Sequence, residues 1–211
     1  MKEICTAARA KGTVLFLFGR IKMNRNNNVY CLCEGALMVA AAQILGMIKL
    51  WKMPWGGSAT LAMVPIVLFS IRWGLVKGLI SGLILGVLQM VLDGASAISL
   101  QSVFGDYLLA YMAVGTAGLA RGKKNAWLWG TLAGGGVRFL VHYVVGATVW
   151  AMYMPENFLG LAMTGPWFYS FLYNLCYMVP NIIFTAIALF LLKKPMRKYF
   201  AREDLKARGI S

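Results

Sequence analysis

Six long apolar runs, at about residues 31–48, 59–72, 75–93, 104–120, 127–152 and 168–192, are separated by short polar turns. A helix that crosses hydrocarbon needs about 20 mostly apolar residues. Within lipid its backbone N–H and C=O groups must be satisfied inside the segment itself. Runs of this number and length predict an all-α polytopic membrane protein, a bundle of six transmembrane helices. Only 13% of residues are charged, about half the share of an ordinary soluble domain. The runs define a membrane domain over 30–194, with basic tails at 1–29 and 195–211.

The basic residues orient the bundle. All but three of the 21 lysines and arginines fall in or beside the two tails and the turns after the second and fourth runs. The exceptions are Lys49 and Lys52 in one opposite turn and Arg138 inside the fifth run. Lysine and arginine concentrate on the cytoplasmic side of membrane proteins, so both termini are expected in the cytoplasm. Topology and anionic lipid headgroups account for the net charge of +14, and no nucleic-acid partner is expected.

Local patterns refine the helices. Gly74, Gly78, Gly82 and Gly86 recur every fourth residue and predict a smooth face for close helix packing. Pro65 predicts a kink or a broken start in the second run. The stretch "GTAGLARGKKN" departs from the spacing of a phosphate-binding loop. The cysteines Cys5, Cys31, Cys33 and Cys176 form no CxxC pair; neither a metal site nor a cofactor is expected.

Candidate site residues gather at the ends of the runs that face away from the basic turns. Asp106 opens the fourth run, as a helix cap or as a counter-charge for a cation. His142, the only histidine, shares a helical face with Gly146 and Trp150 at i, i+4 and i+8. Gly146 would leave a slot between imidazole and indole that admits a flat ring. The sixth run adds Tyr169, Tyr173, Asn174 and Tyr177. An asparagine in an apolar helix needs a partner, either another helix or a ligand. The outward turns hold Trp51 and Trp55, which also suit an aromatic belt.

At these residues the sequence resembles the thiamine-specific substrate-binding subunits (S components) of energy-coupling factor transporters. The matching pieces are "PWGGSATLAMVPIVLFSIRWGLVKGLISGLILGVLQ", "DYLLAYMAVGTAGL", "RFLVHYVVGATVW" and "YSFLYNLCYMVPN". The resemblance implies a non-enzymatic membrane subunit that binds thiamine from outside the cell. It would deliver the vitamin through a shared module of one membrane scaffold protein and two ATPases. It implies a pocket built from Asp106, Tyr107, His142, Gly146, Trp150, Tyr169 and Asn174, with Trp51 or Trp55 from the first outward loop. The family's glutamate–tyrosine pair is Asp106–Tyr107 here, one methylene shorter. Its Pro-Glu on the sixth helix is Pro180–Asn181. Docking to the module would use Ala36 and Ala40 on the first helix. The chemistry of the residues agrees: indole attracts a cation by about 0.5–2 kcal/mol, and a carboxylate complements a thiazolium.

Two alternatives stand beside this. One is an S component for another vitamin. The other is an integral membrane enzyme in which His142 serves Asp106 or Ser170 as base and nucleophile. The sequence contains no HExxH or GxSxG and no second histidine.

Overall fold

The computed structural model describes residues 25–54, 56–92 and 99–209. Among the described residues six principal helices form the body: α1 (Arg25–Met47), α2 (Met63–Trp73), α3 (Leu75–Leu92), α4 (Leu100–Ala120), α5 (Ala126–Thr148) and α6 (Pro166–Lys193). Two short helices follow, α7 (Arg197–Ala201) and α8 (Glu203–Ala207). Two-residue strands form two small hairpins. β1 (Trp51–Lys52) pairs with β2 (Ser58–Ala59), and β3 (Asn157–Phe158) with β4 (Leu161–Ala162), both antiparallel. Leu159 and Gly160 both take positive φ at the tip of the second, as a two-residue turn of type I′ requires.

Among the described residues four helices, α1, α3, α4 and α6, are long and apolar enough to cross a membrane. The bundle is helical as expected, but two of the six principal helices differ from ordinary spans. α2 has 11 residues and every one is buried. At 1.5 Å per residue it is about half the thickness of a hydrocarbon core. It forms the centre of the fold, where Ile66, Val67 and Ile71 pack against Val39, Leu85, Val114 and Leu189 from four other helices. Pro65 sits in its first turn, where the missing N–H has no intrahelical partner to lose, so it marks a start. α5 has the length of a span, but glycines, Arg138 and His142 dilute its apolar character.

The glycine face of α3 works as its spacing implies. A Cβ on Gly82 would lie 2.3 Å from the carbonyl oxygen of Tyr111, and one on Gly86 would lie 2.4 Å from that of Tyr107. From the other side, a Cβ on Gly115 or Gly118 would meet the backbone of α3 near Gly78 and Leu75. α3 and α4 therefore touch backbone to backbone, which only glycine permits.

The C-terminal segment, expected as a tail, folds back on the bundle. Leu205 is fully buried beside Phe69 and Trp73. Arg72, only 2% exposed, places its Nε 2.9 Å from Glu34 Oε1 and its Nη2 against Asp204. Its guanidinium lies 4.0 Å over the ring of Tyr199, whose hydroxyl donates to Glu34. Arg72, placed by sequence in a polar turn, is thus the buried hub joining α1, α2, α7 and α8.

Candidate functional site

The opposite end of the bundle holds a cavity of about 210 Å³. It is lined from α4 by Ser102, Asp106, Tyr107 and Tyr111, and from α5 by Arg138, His142 and Gly146, with Trp150 just beyond. Tyr169, Ser170, Tyr173, Asn174 and Tyr177 of α6 close another side. The remaining wall comes from Gly46, Lys49, Lys52, Gly56 to Ser58, Thr60, Gln89 and Tyr153.

Asp106 is the centre of the polar contacts. Its Oδ1 lies 2.9 Å from His142 Nδ1, and its Oδ2 accepts from Trp150 Nε1 at 2.8 Å and from the Ser102 hydroxyl at 3.2 Å. The residue does not cap a helix. α4 starts at Leu100, with the Ser99 side chain accepting from the Ser102 amide. Asp106 sits inside a π-helical turn, Val103–Leu109. Such turns shift the register of side chains and recur at functional sites. Beside it Gly105 presses on Val145 of α5.

The histidine's two nitrogens are both engaged. Arg138 Nε–H donates to Nε2 at 3.4 Å, which leaves Nδ1 to carry the proton toward Asp106. Arg138 itself lies over Tyr111, 4.2 Å from the ring centroid. His142 is 8% exposed and meets Tyr177 edge to face. It therefore orients the carboxylate and packs the core at once.

Asn174, 4% exposed, belongs to a second chain of contacts. Its Nδ2 donates to the Ser170 carbonyl at 2.8 Å, to Ser170 Oγ at 3.1 Å and to the His142 carbonyl at 3.3 Å. Its Oδ1 accepts from the Tyr177 hydroxyl at 2.5 Å. Ser170 donates to the Tyr143 carbonyl. With His142 and Ser170 committed in this way, no nucleophile–base pair forms between them.

Two expectations need correction. Gly146 does not open a slot: a Cβ there would lie 2.4 Å from Ser170 Oγ, so the glycine lets α6 approach α5. Trp150 follows the helical cap residue Val149, and its indole meets the same Asp106 carboxylate as His142. Trp51 lies outside the cavity, 59% exposed, with its indole N–H on Met53 Sδ. Trp55 lies outside the described residues. Tyr169 is buried, lines the cavity and meets Phe158 of the second hairpin edge to face.

Sequence reasoning passed over Ser102, Tyr111 and Gln89. Ser102 is one turn before Asp106, at the spacing where helical side chains meet. Gln89 is a polar residue in an otherwise apolar helix. The hairpin over the cavity is held by Asn181, which is fully buried. Its Oδ1 accepts from the Thr60 amide at 2.9 Å and its Nδ2 donates to the Ser58 carbonyl at 2.8 Å. A carboxylate could accept but not donate here, which fits Asn181 where the resembled family carries glutamate. The Tyr173 hydroxyl adds a bond to the Gly56 carbonyl at 2.8 Å.

Fold and site together define a helical membrane protein with an acid-bearing, aromatic cavity at one end. Comparison with known proteins specifies the family. Residues 32–201 match the model of the thiamine transporter protein family, and the chain belongs to it. The thiamine transporter ThiT of Bacillus subtilis is 34% identical over 185 residues, which span 81% of this chain and 93% of that protein. A solved structure of ThiT from Listeria monocytogenes superposes with a TM-score of 0.71 at 24% identity, over 82% of this chain and 98% of that one. That likeness establishes the shared fold.

Proposed function

We propose that this chain binds thiamine in the cavity and serves as the substrate-binding subunit of an energy-coupling factor importer. The observation that carries the reading is Asp106, a carboxylate inside a membrane bundle, fixed by an indole, an imidazole and a hydroxyl. Thiamine joins a permanently cationic thiazolium to a flat aminopyrimidine. Asp106 supplies the counter-charge or accepts from the amino group, and Trp150, Tyr107 and Tyr169 offer aromatic surface. His142 and Asn174 hold these groups in place. The family match and the B. subtilis relative support the choice of vitamin.

The shared module, with its membrane scaffold protein and two ATPases, would supply the energy. Ala36 and Ala40 are exposed on α1, one turn apart, and suit close docking of another helix. The basic end, with both termini, would face the cytoplasm and the cavity the outside. Calorimetric titration of detergent-purified protein with thiamine, riboflavin and folate tests the assignment. Saturable heat with thiamine alone is expected. Indifference to thiamine would sink it.

A further inference from the structure

The end of the bundle away from the cavity holds two arginines that no acid balances among the described residues. The acids nearest to hand, Glu34 and Asp204, are committed to Arg72. Arg202 is the left-handed residue between α7 and α8. Its Nε and Nη2 are buried and have no acceptor among the described residues. Burial, and then the positive charges of Arg121 and Arg72, push its pKa down. Arg121 stands in the turn after α4, and its Nη1 donates to the Trp73 carbonyl at a long 3.4 Å. A Cβ on Gly74 would lie 3.0 Å from the same nitrogen, so this guanidinium packs over the junction of α2 and α3. Leu205, three residues beyond Arg202, packs against Trp73. Both arginines therefore border one junction, where α2, α8 and the turn after α4 meet. The indole N–H of Trp73, a residue 3% exposed, is a further buried donor without an acceptor among the described residues. The unmet groups of Trp73 and Arg202 are thus all donors. A guanidinium offers five N–H donors and no acceptor, and a buried charge needs a partner. Like charges gathered around unmet donors form the complement of an anion.

We propose that Arg121 and Arg202 form a phosphate-binding site at the basic end of the bundle. The planar fork of arginine matches phosphate oxygens two at a time. A phosphate between the two side chains would accept from the unmet Arg202 donors and offset the repulsion between the guanidinium groups. It would also tie the start of α8 to the turn after α4, and so brace the C-terminal segment on the bundle. The phosphodiester of an anionic phospholipid and inorganic phosphate present the same oxygens. Anionic headgroups gather at the leaflet that faces the basic side of a membrane protein, which brings the lipid within reach of this junction.

The test is native mass spectrometry and thermal melting of the full chain in detergent, with phosphatidylglycerol, phosphatidylcholine and inorganic phosphate added in turn. The variants are Arg202→Gln, Arg121→Gln/Arg202→Gln and Lys123→Gln/Lys124→Gln. The lysine pair, exposed in the same turn as Arg121, controls for general attraction to a basic surface. Arg202→Gln leaves the Trp73 contact of Arg121 in place, so the test stands even where the double variant fails to fold. The wild type should take up one phosphatidylglycerol at least about tenfold more tightly than phosphatidylcholine, and the arginine variants should lose about tenfold to a hundredfold, the range of lost charge-assisted hydrogen bonds. The lysine control should stay within about threefold of wild type, since exposed charges are screened by water and salt. Selective uptake of the lipid without a response to inorganic phosphate assigns the site to a headgroup. A melting shift with inorganic phosphate and no preference between the lipids assigns it to the free anion. Either result, lost in the arginine variants, sustains the site. A wild type indifferent to both sources overturns the inference, as does a lysine control that loses as much as the arginine variants.

Discussion

Arg72→Met should be among the most damaging single changes at the end of the bundle away from the cavity. The guanidinium is 2% exposed, and the Glu34 side chain it faces at 2.9 Å is 11% exposed. Among the described residues, removing the arginine leaves that carboxylate with the Tyr199 hydroxyl as its hydrogen-bond partner. Breaking a buried ion pair from one side costs about 3–5 kcal/mol. The lost contact with the Tyr199 ring belongs to the same network and is not an independent addition. Asp204 adds little, since its side chain is 43% exposed and water screens it. At about 2–4 °C per kcal/mol for a chain of this size, the melting temperature should fall by roughly 6–20 °C.

The companion variant carries the logic. Arg72→Met with Glu34→Leu replaces both charges by apolar side chains, an exchange that ranges from about neutral to 1–4 kcal/mol stabilising. The double variant should melt well above Arg72→Met. Thermal melts of the detergent-purified proteins measure both, and thiamine titration of each folded variant should match the wild type, because the cavity lies at the other end. A melting point within about 3 °C of wild type for Arg72→Met, or a double variant less stable than Arg72→Met, would refute the account of Arg72 as a paired hub.

The hydrogen bond from Arg72 holds the Asp204 carboxyl below the usual carboxylate range. A depressed folded value means stability that is present above the unfolded value, about 3.9, and is lost as pH falls through the folded one. Docking of α7 and α8 should therefore loosen below about pH 4. Pepsin cleavage within residues 197–209 should rise there relative to Asp204→Asn, in which this pH dependence is absent; equal cleavage of the two at every pH would count against it. At the cavity, Gly146→Ala would place a methyl group 2.4 Å from Ser170 Oγ and 3.2 Å from Asn174 Nδ2. Overpacking of this kind costs about 1–3 kcal/mol, and adding Ser170→Ala should recover part of it, since the 2.4 Å contact with Oγ goes while the tight contacts at 3.2 and 3.3 Å stay. A melt in which the second change gives no recovery would show that the strain lies elsewhere.

What the sequence made legible was what depends on near neighbours. Glycine every fourth residue says that α3 has a bare face, and α4 lies on it. An acid, a histidine and an asparagine in apolar runs announce polar contacts, and these residues do line one cavity. What depended on distant partners stayed hidden. The hub at Arg72 joins residues 38 and 132 positions away, so a basic residue near a turn looked like a topology signal. The segment after α6 is rich in lysine and arginine, and residues such as Tyr199 and Leu205, finding α1 and α2, turn it into packed structure. Helical arithmetic carried as far as Trp150, because Val149 keeps helical dihedrals past the last residue of α5.

On the thiamine reading proposed above, stability and recognition converge on Asp106. A carboxylate surrounded by apolar helices needs donors, and it draws them from α4 itself, from α5 and from the turn beyond α5. The π-turn makes this geometry possible by carrying Asp106 toward α5, where Gly105 rests against Val145. The same contacts fix the Trp150 turn beside the cavity, and α5 is tied to α6 through the Asn174 bond to the His142 carbonyl. A cation that engages Asp106 competes with donors that hold three elements together, so its binding is coupled to the position of the turn at the cavity's edge. An acid on a rigid, fully separate helix face could bind a cation equally well, but it would transmit nothing to the elements around it.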